Sequence, residues 1–162
     1  MMDMGSYVVH WARLLGREEP TVVSATAKLR SPDIDRAMDA YLSFPGGHTA
    51  TVHCSMWSRS ILHIEARVTG DDGTLRVLNP IAPQAVSVVT VRSGGRRRVE
   101  LGSRRPTYAY QLDAFCDAVL RGGPVLTPPS DAVANMAVID AVYRAAHMRP
   151  RGVIPPAKEP AP

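Results

Sequence analysis

The chain has 162 residues, of which 45% are apolar and 21% charged, with a formal net charge of +4. These figures fit one globular domain with a core of its own and exclude a highly charged, weakly apolar disordered chain. No run approaches the ~18 apolar residues of a membrane span, and the first residues lack the basic stretch and apolar core of an export signal, so no membrane partner is expected and the expected compartment is cytoplasmic.

The opening stretch, MMDMGSYVVHWARLLG, places Met4, Val8, Trp11 and Leu15 at i, i+4, i+7 and i+11. That period predicts an amphipathic helix, with Gly16 where a left-handed C-cap belongs. Glu18-Glu19-Pro20 breaks the pattern, and TVVSATAKLR reads as a strand rich in β-branched residues. After the turn-like SPDID, residues 37–44 alternate Met38, Ala40, Leu42 and Phe44 against Asp39, Tyr41 and Ser43. Pro45-Gly46-Gly47 then turns the chain into TATVHCSMW, a hairpin with one wet face. A second hairpin sets Leu62, Ile64, Ala66 and Val68 against His63, Glu65 and Arg67 and turns at Asp71-Asp72-Gly73. A third is predicted around Gly94-Gly95.

At Arg105-Pro106-Thr107 the period changes. Tyr108, Leu112, Phe115 and Val119 predict a second helix ended by Gly122-Gly123-Pro124, and Ala132, Met136, Ile139 and Tyr143 predict a third, with Ser130 as its N-cap. The proline-rich residues 150–162 are predicted to be a disordered tail, leaving one domain over residues 1–149. The expected fold class is α+β: an open, mostly antiparallel β-sheet of about six or seven strands with helices packed on one face. The free face predicts a sheet-to-sheet homodimer.

Most catalytic signatures are missing from this sequence. It has no GxGxxG or Walker loop, so no residue of this chain is expected to bind a dinucleotide cofactor. His10, His48, His53, His63 and His147 lack HxxxH and HExxH spacing, so no metal is expected. There is no GxSxG elbow, and Cys54 and Cys116, without CxxC spacing, are expected to be reduced thiols. Arg96, Arg97, Arg98, Arg104 and Arg105 follow a hairpin turn without interleaved aromatics, which reads as a solvated rim, with no nucleic-acid partner expected.

What remains is Asp3, Gly5 and Tyr7, a DxGxY pattern. At i and i+4 the carboxylate and the phenol share one side of a helix, close enough to serve one small molecule. The same residues also fit an ordinary helix N-terminal aspartate and a partly buried aromatic. A tyrosine acid or base needs a nearby cation to bring its pKa of about 10 toward neutrality. The two lysines, Lys28 and Lys158, fall in the next strand and in the tail.

In this order, MDMGSYVVHWARLLG, DRAMDAYLSFPGGHTATVHCS, VTGDDGTLRVLNP, TYAYQLDAFCDAVLRGG and TPPSDAVANMAVIDAVYRAA resemble the C-terminal domain of the Gfo/Idh/MocA family of NAD(P)-dependent oxidoreductases. The resemblance runs from Met1 to Arg151. It implies a domain that supplies the substrate pocket and the oligomer interface, while NAD or NADP is held by an N-terminal Rossmann domain. It also implies that Asp3 and Tyr7 match the family's DxGx(H/Y) motif, with Tyr7 as proton donor or acceptor and Asp3 orienting the substrate or the tyrosine. The tyrosine form looks closer to the branch of dihydrodiol dehydrogenase and glucose-fructose oxidoreductase, which implies sugar- or diol-like substrates.

This sequence lacks the family's glycine-rich loop and the lysine of its Glu-Lys-Pro motif. The resemblance therefore implies a substrate-binding and dimerisation part, inactive without a dinucleotide-binding domain. That domain would lie upstream of Met1 or belong to another chain, either a separate Rossmann domain or a full-length relative. The competing expectation is a non-catalytic small-molecule-binding or dimerisation module derived from that family.

Overall fold

A computed structural model describes residues 1–56, 63–150 and 152. The predicted tail over 153–162, Leu62 at the head of the second hairpin and Trp57 at the end of the first lie outside the described residues. The elements are α1 (Met4–Gly16), β1 (Thr21–Ser31), β2 (Ile34–Ser43), β3 (Thr49–Ser55), β4 (Glu65–Gly70), β5 (Gly73–Leu78), β6 (Val88–Ser93), β7 (Arg96–Leu101), α2 (Thr107–Arg121) and α3 (Pro129–Ala145). The class is α+β, and every strand pairing is antiparallel.

The seven strands form two open sheets, ordered β1-β2-β3 and β4-β5-β6-β7. The β3 ladder closes on Ser55 opposite Ala37, and the next begins with Glu65 opposite Leu78. The chain accordingly divides into two compact units, residues 1–58 with 129–162, and residues 59–128.

In the first unit α1 and α3 pack on one face of the three-stranded sheet. Met38, Ala40 and Leu42 of β2 point inward with Val52 and Cys54 of β3, meeting Val138, Ile139, Val142 and Tyr143 of α3 and Val9 of α1. Asp39, Tyr41, Thr51 and His53 stay on the wet face, as period-2 alternation predicts.

The face of α1 differs from the predicted stripe. Gly5, Val9 and Arg13 are buried, whereas Met4 and Leu15 are 38% and 50% exposed. The helix sits so close to the sheet that its two glycines lie at the contact beside Val9. A carbon added to Gly16 would lie 2.4 Å from Cε1 of the Phe44 ring, so Gly16 belongs to the packed face. The left-handed cap is the next residue, Arg17, with φ 58° and its N–H donating to the Arg13 carbonyl at 2.8 Å. Gly16→Ala is expected to destabilise the chain by about 1–3 kcal/mol, the range for overpacking a filled core, read as a lower denaturation midpoint at unchanged m-value.

Arg13 replaces an apolar residue at the α1–α3 contact because its charge is matched there. It donates two 2.7 Å hydrogen bonds to Glu19 and pairs with Asp131 at 2.9 Å. Asn135 adds a 3.1 Å bond from its Nδ2 to the Ser6 carbonyl. The Arg13 hydrogen bonds hold the Glu19 carboxyl below the usual range against its partial burial.

In the second unit β4–β7 form a meander whose β6–β7 turn is Gly94-Gly95. Arg96, Arg97 and Arg98 of β7 are exposed, as expected of a solvated rim, with Arg98 paired to Glu100 at 2.5 Å; Arg76 of β5 is paired with Glu65 at 2.8 Å. Helix α2 ends on Gly122 in the left-handed region. Its predicted core stripe is not buried: Tyr108, Leu112, Phe115 and Val119 are 79%, 60%, 65% and 64% exposed.

Candidate functional site

The DxGxY segment starts α1, and the glycine sets its geometry. A carbon added to Gly5 would come 2.1 Å from Met1 Sδ and 3.2 Å from Cys54 Sγ, so only glycine lets this turn reach β3 without displacing Met1. At about 100° per residue, positions two before and two after Gly5 fall on the opposite side of the helix. Asp3 and Tyr7 occupy those positions and are exposed, Tyr7 at 48%. Tyr7 thus faces away from the sheet because Gly5 faces it, while Asp3 stands just before the helix.

Local bonding fixes the backbone of this turn and leaves the two side chains available. The Ser6 amide and hydroxyl both donate to the Asp3 carbonyl, at 3.1 and 2.7 Å. The Asp3 carboxylate caps no helix amide and forms no ion pair among the described residues. On α1, Met4 is exposed beside the motif, and Leu14 and Leu15 are exposed at the far end of the helix.

Beneath the turn lies a small cavity of about 160 Å³, lined in part by Met1, Asp3, Gly5, Asp35, Cys54 and Tyr143. Its central polar group is Asp35, whose side chain is 6% exposed. The Tyr143 hydroxyl donates to Asp35 Oδ1 at 2.9 Å, and the Met1 nitrogen donates to Oδ2. Burial pushes the Asp35 carboxyl up, but the hydrogen bonds from Met1 and Tyr143 outweigh it and hold the group below the usual carboxylate range. Burial raises the Cys54 thiol instead, which marks a packing cysteine rather than a nucleophile.

Sequence reasoning missed Asp35, and the register shows why. Lys28 faces Ala37 but Leu29 faces Asp35, so Arg36 is an extra residue in β2. This bulge reverses the inward parity between Met38 and Asp35. Extrapolating the Met38-Ala40-Leu42 alternation would have put Asp35 in water.

A folded-state pKa below the unfolded value means that Asp35 contributes stability above the ordinary carboxylate range near 3.9. That contribution disappears as the pH falls through the lowered folded value. Denaturant titrations between pH 6 and 2 are expected to show an acid loss that is smaller in Asp35→Asn, because the variant has already lost the charged form.

Among the described residues no three His, Cys, Asp or Glu side chains converge as a metal site would require. No described helix is long and apolar enough to cross a membrane.

Comparison with known proteins identifies the neighbourhood. Residues 1–76 match the model of the GFO/IDH/MocA C-terminal domain. The chain is 30% identical over 149 residues to D-xylose 1-dehydrogenase (NADP(+)) 2 of Haloferax volcanii, covering 90% of this chain and 45% of that one. It is 27% identical over 154 residues to an uncharacterized oxidoreductase of Rhizobium meliloti, covering 90% and 46%. The chain therefore spans about half the length of these curated relatives.

Among solved structures, a 3-ketoreductase from Actinomadura kijaniata in complex with NADP superposes with a TM-score of 0.75 at 21% identity, over 91% of this chain and 47% of that one. UDP-N-acetylglucosamine 3-dehydrogenase from Acidithiobacillus ferrooxidans gives 0.73 at 19% identity, over 90% and 46%. At these identities the superpositions establish the shared fold.

Proposed function

We propose that this chain, whose residues 1–76 match the model of the GFO/IDH/MocA C-terminal domain, is the substrate-binding and dimerising part of an NAD(P)-dependent oxidoreductase. It acts on a hydroxyl or carbonyl of a sugar-like substrate. The observation that supports this reading is the outward face of α1: Asp3 and Tyr7 are both exposed at its start, with Met4 exposed between them and Leu14 and Leu15 exposed two turns further along. A dinucleotide-binding domain seated on that surface would bury the apolar residues and bring the phenol to the reacting atoms.

The chain itself offers no glycine-rich phosphate cradle, so the dinucleotide belongs to the other domain. When bound, the nicotinamide supplies the hydride acceptor or donor. Tyr7 exchanges a proton with the substrate oxygen, and Asp3 orients the substrate or the phenol. The relative named for D-xylose and NADP(+) supports an aldose substrate and NADP. The wet face of β1–β3, with Tyr41, Thr51 and the Asp39–His53 pair at 2.6 Å, is the surface proposed to meet a second copy.

The test is to join this chain to a dinucleotide-binding domain of the family and offer a panel of aldoses, D-xylose included, with NADP or NAD. NAD(P)H formation that requires both parts supports the reading. Sugar binding without turnover by any pairing would instead support a non-catalytic binding module.

A further inference from the structure

We propose that Asp35 is the positioning residue of this site: its buried carboxylate ties the segment entering α1 to the core and so fixes where Asp3 and Tyr7 stand. The inference rests on the proposed role of those two residues and adds one that the motif does not contain.

Elsewhere the first turn of α1 is held by the Asn135 Nδ2 bond to the Ser6 carbonyl at 3.1 Å and by the close approach of Gly5 to Cys54. The Asp3 side chain caps no amide, and the Arg13–Asp131 contact lies more than two turns further along the helix. At the entrance, three parts of the first unit converge on one carboxylate. Asp35 comes from β2, the Tyr143 hydroxyl reaches it from α3, and Met1 brings the segment that leads into the motif.

The same anchor seats Met1, whose side chain fills the space beside Gly5 and contacts Cys54 Sγ at 3.8 Å. Asp35, Tyr143 and Met1 are all at most 8% exposed. Water is therefore a poor substitute for any of them. Loss of the carboxylate frees the entry segment, and the helix start moves with it.

The experiment compares Asp35→Asn, Asp35→Glu and Tyr143→Phe. Tyr143→Phe keeps the ring and removes only the hydroxyl, which guards against a variant that fails to fold. Amide exchange is read across Ser6–Val9 and, as an internal control, across Ile139–Tyr143. The kcat and KM are read in the two-domain enzyme, below the melting temperature of each variant.

Exchange is expected to quicken at Ser6–Val9 and hold at Ile139–Tyr143. The kcat is expected to fall about tenfold to a hundredfold, the scale for a catalytic group misplaced by about 1 Å, while the cofactor KM stays within twofold. Asp35→Glu, which keeps the charge, is expected to recover part of the loss.

Unchanged exchange at Ser6–Val9, or a uniform rise over both segments, overturns the positioning role. So does an unaltered kcat in variants of an enzyme that Tyr7→Phe impairs. Faster exchange at the helix start, in an enzyme that Tyr7→Phe leaves fully active, supports the anchor and rejects the catalytic reading of Tyr7.

Discussion

Replacing Tyr7 by Phe is expected to lower kcat of the two-domain enzyme by about 10²–10⁴-fold, the usual contribution of a positioned acid or base. The ring keeps its packing and only the hydroxyl is lost. Tyr7 is 48% exposed and donates no hydrogen bond among the described residues, so the melting temperature is expected to stay within a degree or two of the parent. An effect on turnover without an effect on stability separates proton transfer from folding. Substrate binding should weaken far less than kcat falls, since the hydroxyl is asked to act in the transition state. If the variant turns over at the parent rate, Tyr7 is an ordinary surface aromatic and the non-catalytic module becomes the better account.

The largest stability effect is expected at Ile139. Its side chain is 0% exposed and sits in the cluster with Val9, Met38, Leu42 and Tyr143. Ile139→Ala removes three carbons from a site bounded by a helix and a sheet that cannot close the gap, which costs about 2–5 kcal/mol. Leu112→Ala on α2 is the matched control. At 60% exposure its loss should change stability by less than about 0.5 kcal/mol in this chain. Chemical denaturation of both variants decides the matter. Equal losses would mean that Leu112 is buried in solution by a neighbour, such as a second copy.

The contrast between these two leucine-like positions also shows what could be read in advance. Alternation located β2 and β3 because one sheet face is wet and the other packed, a difference visible residue by residue at Asp39 against Met38. Gly46-Gly47 and Gly94-Gly95 located two of the hairpin turns for an equally local reason. Period alone does not say which side of a helix is covered. The stripes of α1 and α2 are real in sequence, yet α1 packs through Gly5, Val9 and Arg13, one step round from the bulky residues, and α2 buries none of its stripe.

Nor does alternation survive an inserted residue, which is how Asp35 escaped notice at the Arg36 bulge. The division of the strands between two sheets was equally hidden, since hairpins look alike in sequence whether or not they join a common ladder. The DxGxY motif was legible as a pattern, but the reason for its glycine needed the sulfur atoms of Met1 and Cys54 in place.

The two compact units are nested rather than consecutive. Residues 59–128 are enclosed by the sequence of the first unit, which resumes at residue 129. Every hairpin of the enclosed unit joins neighbours in sequence, whereas the core of the enclosing one depends on contacts such as Tyr143 with Asp35, 108 positions apart. During synthesis, the meander can therefore form soon after it leaves the ribosome, while the sheet made first waits with Met38 and Leu42 uncovered. The sheet that precedes the meander in this sequence is thus completed after it. The interval before α3 emerges is when this chain is most open to chaperones, proteases and self-association.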